Sequence, residues 1–248
     1  MLVSNHTTKQ EGPTLLLYIV RHGDPIYNPD TLTPKGKLQA AAMGKRLSVH
    51  GVDKIFSSPN GRAQETAQPT CDLMGLKAEI EPWTSEDLTW RDFSREDENG
   101  RRIWSFMIPR HKMISDPVAL TDHWYDAQTF QGTNAKAGYE RVQAESDAFL
   151  AKLGYVREGK LYRIEKPSDE RVAVFCHQGF GVTWLSHLLG VHPVEFWGSF
   201  DISHSCLTIL NFENYPDGVT SPRCLCLSDM GHIFREGLPM VYNNRIEV

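Results

Sequence analysis

No apolar run in this 248-residue chain approaches transmembrane length. The longest uninterrupted one covers residues 15–20, and a spanning helix needs ~20 residues. Positive charge is not in excess either: 26 Lys and Arg stand against 31 Asp and Glu, a formal net charge of −5. That balance removes any global drive toward nucleic acid or an anionic membrane, so an anionic ligand has to be held by a local group of Arg and His. Cysteine is scarce and odd in number, at Cys71, Cys176, Cys206, Cys224 and Cys226, with no CxxC pair and no zinc-finger spacing. Reduced, structural thiols in a cytoplasmic protein are the expectation. The opening "MLVSNHTTKQEG" lacks the apolar core of a signal peptide, which argues against export. There is no internal repeat and no low-complexity segment. No GxGxxG follows the first apolar run, which speaks against a nucleotide-binding Rossmann protein.

What is present is ordinary globular material, 40% hydrophobic and 23% charged, enough for one domain over 1–248 with a substantial core. Residues 1–13 end in Gly12-Pro13 and read as a mobile leader. The continuous apolar run 15–20 suits a strand buried on both faces. Thr33-Pro34 opens a helix, with Thr as N-cap and Pro in the first turn, closed at Gly51. "KIFSSP" is a short strand, and the helix that starts near Gly61 is expected to bend or shorten at Pro69. A strand at 78–80 continues the alternation, which predicts an α/β fold: a three-layer α/β/α sandwich with a mainly parallel central sheet.

From 82 to 138 the periodicity fails, and four of the six Trp fall in this stretch. We read it as an inserted lid, since long irregular segments in compact domains are usually functional. An amphipathic helix around 139–155 follows, then "KLYRIEKPSDERVAVFCH", read as a hairpin whose second arm ends on His177. A helix from about 179, a short helix at "EFWGSF" and late strands at "SCLTILNF" and "RCLCLSD" complete the chain. The late strands leave homodimerisation open.

Two apolar strands thus each deliver a histidine, His22 and His177, at the carboxyl end, with a glycine and a helix close behind. That is where open α/β sheets place ligands. A third strand leads to Arg62 in the first turn of its helix, and Arg21 precedes His22. Two guanidiniums present planar donor forks to phosphate oxygens and stay charged. A neutral imidazole among them is a nucleophile for phosphorus, and the cations offset the charge of the transition state. The leaving alkoxide then needs an acid. Glu86 is the best placed, followed by Asp87 and then Asp24. The run 101–112 offers Arg101, Arg102, Arg110 and Lys112 to a second anionic group of a substrate, though "SREDE" beside it cancels much of that charge.

"RHG" at 21–23, "LTPKGKLQA", "FSSPNGRAQETA" and "VFCHQG" occur in this order, and together they resemble the histidine phosphatase superfamily, also called phosphoglycerate-mutase-like. The likeness spans about residues 15–210. It implies that His22 is the residue phosphorylated, that Arg21, Arg62 and His177 bind the phosphoryl oxygens, and that Glu86 is the proton donor. Asn28, at the end of an RHGxxxxN pattern, is implied as a further phosphate contact; Gln178, beside the second histidine where many members have Gly, Ala or Glu, is a further candidate. It implies no metal and no cofactor, with a small phosphate ester as the partner. Only residues 24–31 separate "RHG" from "LT", without the longer mutase segment, so hydrolysis is expected over mutase chemistry. A phosphotransferase of the mutase type, or a non-catalytic phospho-ligand or protein-binding module on the same scaffold, are the alternatives.

Overall fold

The computed structural model describes residues 14–243, so the expected leader at 1–13 lies outside the described residues. Six strands form the central sheet: β1 (Thr14–Arg21), β2 (Lys54–Ser57), β3 (Ala78–Ile80), β4 (Arg171–Cys176), β5 (Leu207–Glu213) and β6 (Arg223–Asp229). Their order is β6-β5-β1-β4-β2-β3. The β1, β4, β2 and β3 neighbours run parallel, and β5 is antiparallel to both β1 and β6. The sheet is therefore mixed but mostly parallel.

The unbroken apolar runs of β1 and β4 have a direct cause: both sheet faces are buried. Leu15, Leu17 and Ile19 of β1 and Val172, Val174 and Cys176 of β4 face one core. Tyr18, Val20, Ala173 and Phe175 face the other. The second core is covered by α1 (Pro34–Ser48) and α2 (Gly61–Met74), through Met43, Leu47, Ala67 and Cys71. The first is covered by α4 (Ala135–Lys152) and α5 (Gln178–Leu189), through Val142, Phe149, Phe180 and Trp184. All five cysteines are free thiols. Among the described residues no helix is long and apolar enough to cross a membrane.

Two expectations change. Leu161–Ile164 does not pair with β4; it forms a hairpin with Tyr155–Glu158. The two-residue turn between them starts on Gly159 at φ +64°, the left-handed geometry that tight hairpins require, so the local partner wins. The helix that contains Pro69 is not shortened by it and runs on to Met74. Pro69 lies directly against Gly44 of α1.

The stretch 82–138 is built from short pieces. The helix α3 (Glu86–Phe93) is followed by a hairpin, Ser94–Glu96 with Arg102–Trp104, and then by single helical turns. Trp83 and Trp124 are buried in the core, whereas Trp90 and Trp104 are only partly buried.

The first two motifs are coupled by backbone contact. Thr33 Oγ1 accepts from Gly36 N at 3.0 Å, and Asp24 N donates to Gln39 Oε1 at 2.8 Å. A Cβ on Gly23 would stand 2.7 Å from the Gly36 carbonyl oxygen, and one on Gly36 would fall inside the backbone of Asp24. Gly36→Ala is therefore expected to destabilise the protein by roughly 2–3 kcal/mol, read from the urea midpoint. An unchanged midpoint would show that α1 does not clamp the Arg21–Gly23 turn.

Candidate active site

The strand register builds the site. Arg21 pairs with Cys176, and Phe175 with Ser57. β1, β4 and β2 therefore end in step, and His22 and His177 emerge side by side with ring centroids 5.1 Å apart. Arg21, His22, Arg62 and His177 are 4%, 3%, 6% and 0% exposed. Buried cations and imidazoles at strand ends need a polar reason, and their hydrogen bonds supply most of it.

His22 Nδ1 lies 2.7 Å from the Gly23 carbonyl oxygen. A carbonyl only accepts, so Nδ1 carries the proton and the Nε2 lone pair is left for a reacting atom. Burial, and then the charges of the neighbouring groups, push the His22 pKa well below the ordinary value of 6.5, so the ring is neutral at physiological pH. The same causes hold His177 neutral. His177 Nε2 contacts Ser58 Oγ at 2.7 Å.

Arg21 is gripped from one side. Its Nη1 donates to Ile202 O at 2.6 Å and to Asn243 Oδ1 at 2.9 Å, and its Nη2 meets His204 Nε2 at 2.7 Å. Arg62 donates from Nη1 to Asp30 Oδ1 at 2.7 Å, while Gly61 N donates to the other Asp30 oxygen. Arg21 Nε, Arg62 Nε and His177 Nδ1 are buried and make no hydrogen bond among the described residues.

Glu86, the first residue of α3, reaches the start of α5. Gly179 N and Phe180 N donate to its two oxygens at 2.8 and 2.9 Å. Helix N-terminal donors favour the carboxylate, yet desolvation outweighs them and raises its pKa above the ordinary 4.5. Gly179 makes this approach feasible: a Cβ there would stand 2.8 Å from the Trp104 ring and 3.1 Å from Glu86 Oε1.

Arg21, His22, Arg62, Glu86 and Gln178 line one cavity of about 540 Å³, together with Tyr27, Asp30, Asn60, Asp87, Trp90 and Trp104. His177 stands against His22 behind it. Gln178 Nε2 donates to Asp201 Oδ1 at 2.6 Å. Asn28 is exposed at the tip of the Pro25–Tyr27 and Asp30–Leu32 hairpin, outside the lining. Asp24 is turned to α1, accepting from Thr33 Oγ1 at 2.8 Å. Asp87 sits at the cavity wall and accepts from Asn60 Nδ2 at 3.2 Å. Arg101, Arg102, Arg110 and Lys112 do not reach the lining. Arg101 pairs with Asp97, and Arg102 donates to Ser94 Oγ.

Sequence reasoning passed over His204, Asp30 and Ser58. His204 is a third imidazole, 5.4 Å from His22 between ring centroids. Its only signal was a histidine placed just before a strand. Burial and nearby cations pull its pKa to about 3. His232, under α1 and outside the cavity, is held at about 4 by burial and Arg46. Depressed folded-state values contribute stability above the unfolded value of 6.5, and that stability is lost as pH falls. The melting temperature should therefore drop between pH 6.5 and about 4, and His232→Gln should flatten that slope. A slope unaffected by the substitution would remove His232 from the acid response.

Among the described residues no three His, Cys, Asp or Glu side chains converge as a metal-holding group. The profile of the histidine phosphatase superfamily (branch 1) matches residues 17–221, and the chain belongs to that superfamily. A provisionally named phosphoserine phosphatase 2 of Hydrogenobacter thermophilus is 32% identical over 116 residues, 41% of this chain and 54% of that protein. A provisionally named phosphoglycerate mutase, GpmB, of Erwinia tasmaniensis is 31% identical over 153 residues, 55% of this chain and 64% of its own length. The chain thus spans less than two thirds of either relative. Of solved structures, a mycobacterial glucosyl-3-phosphoglycerate phosphatase superposes with a TM-score of 0.59 at 17% identity, covering 87% of this chain and 99% of its own. A phosphoserine phosphatase from Entamoeba histolytica superposes at 0.55 and 19%, covering 88% and 99%. At these identities the likeness is one of fold.

Proposed function

We propose that the protein is a phosphomonoesterase that works through a phosphohistidine without a metal ion. The observation that carries this reading is the His22 tautomer. Its Nδ1 proton is held by the Gly23 carbonyl, so Nε2 is free to attack phosphorus amid Arg21, Arg62 and His177. In the first step the Nε2–P bond forms and the P–O bond to the alcohol breaks. Glu86, whose pKa is raised by desolvation, gives a proton to the leaving oxygen. In the second step the Glu86 carboxylate takes a proton from water as that water attacks phosphorus, and phosphate leaves His22. The guanidiniums neutralise the equatorial oxygens throughout, as transferring phosphoryl groups require. Arg62 is oriented for this by Asp30, and Arg21 by Ile202 O, Asn243 and His204. Residues 82–138 act as the wall over the reacting group, with α3 delivering Glu86.

The short connection between the Arg21–Gly23 turn and α1 supports hydrolysis over transfer to a second substrate. It is only a small hairpin, Pro25–Tyr27 with Asp30–Leu32, with no lobe to hold a second substrate. Rapid alkaline quench with a radiolabelled phosphate ester should yield a base-stable, acid-labile label on the protein, at His22 by peptide mapping. Turnover without any such label would replace the covalent route with direct attack by water.

A further inference from the structure

Resting on that reading, we propose a substrate class: phosphomonoesters whose alcohol part carries a flat aromatic group and no second anion, selected by Trp90 and Trp104. Once the phosphoryl group is seated on Arg21 and Arg62, the lining holds no further Lys or Arg among the described residues. The acidic groups there are Asp30, Asp87 and Glu86, so among the described residues a carboxylate or second phosphate on the leaving group meets acids and no further Lys or Arg. Lys35, a nearby cation, is 3.6 Å from Asp24 and lies outside the lining.

The rest of the wall is Tyr27, Trp90 and Trp104 with the amides of Asn60 and Gln178. Trp90 and Trp104 meet edge to face with centroids 4.7 Å apart. Trp104 stacks on Phe106 at 4.9 Å, and Phe106 in turn packs on Trp197 at 5.5 Å. Trp104 is thus backed by buried rings and presents a fixed surface, so a flat group loses little freedom by settling there. Glu86 touches the same glycine as Trp104, which places the leaving oxygen and the aromatic wall side by side.

The test uses three esters of similar alcohol acidity: 2-phenylethyl, ethyl and 2-carboxyethyl phosphate. We expect kcat/KM for the phenylethyl ester to exceed that for ethyl by about tenfold or more, and the carboxyethyl ester to fall below ethyl. In Trp104→Ala and Trp90→Ala the phenylethyl-to-ethyl ratio should drop by about tenfold. The two variants guard against a folding failure in either. Carboxyethyl turnover equal to or above phenylethyl overturns the inference and leaves the phosphatase reading intact. A ratio unchanged in both variants overturns the role of the tryptophans. No turnover of any ester overturns the phosphatase reading itself, and the substrate class with it.

Discussion

His22→Ala is expected to abolish turnover, lowering kcat by roughly four orders of magnitude or more, while inorganic phosphate still binds. The residue lies beyond the last ladder position of β1, since Arg21 is the final residue paired with β4. Its backbone N donates to Cys176 O at 2.9 Å, a bond that alanine retains. The fold should survive, and a melting curve run beside the phosphate-release assay separates lost chemistry from lost structure. Binding should persist because Arg21 and Arg62 are positioned by other partners: Ile202 O, Asn243 and His204 for one, Asp30 for the other. The covalent label should vanish with the activity. Substantial residual turnover in a folded variant would sink the nucleophilic role.

Glu86→Gln should cost about 10²–10⁴-fold in kcat/KM on alkyl phosphates. Nitrophenyl phosphate should lose far less, because nitrophenolate leaves without a proton. The pH profile gives a second readout. In the proposed mechanism the acid form of Glu86 serves the first step, and desolvation raises its pKa above 4.5. Activity on alkyl esters therefore falls as pH rises through that raised value, and the alkaline limb should disappear in the Gln variant. His22 does not obscure this limb, since its own value is pushed down rather than up. Equal losses on both ester types, or an unchanged pH profile, would remove Glu86 from proton transfer. Glutamine also turns an NH₂ toward one of the Gly179 and Phe180 amides, so some loss of binding at the start of α5 is expected for every ester.

Much of this site is legible in the chain because strand and helix patterns are local. An apolar run that stops on Arg21-His22-Gly23 needs two buried faces and an abrupt polar end. Thr33-Pro34 carries its capping role in its own chemistry. The same holds for Val172, Val174 and Cys176 ahead of His177. Local rules failed where a choice between partners had to be made: Leu161–Ile164 took the neighbouring Tyr155–Glu158 strand.

By itself the sequence determined the alternation of buried strands and helices, the four motif segments and the residues Arg21, His22, Arg62 and His177. It also offered a short choice for the proposed acid, led by Glu86. Only the tertiary structure decided that β1 and β4 lie side by side in a register that puts the two imidazoles 5.1 Å apart. It also decided that Asp24 turns to α1 while Glu86 reaches the α5 amides. Parallel neighbours are joined by long crossovers, so their pairing leaves no local trace. His204, Asp30 and Ser58 join the site for the same reason: each is an ordinary polar residue in sequence, and only chain crossing brings it beside a buried Arg or His. The aromatic wall of Trp90 and Trp104 follows suit, since helix α3 and the Arg102–Trp104 strand meet over the strand ends by packing alone.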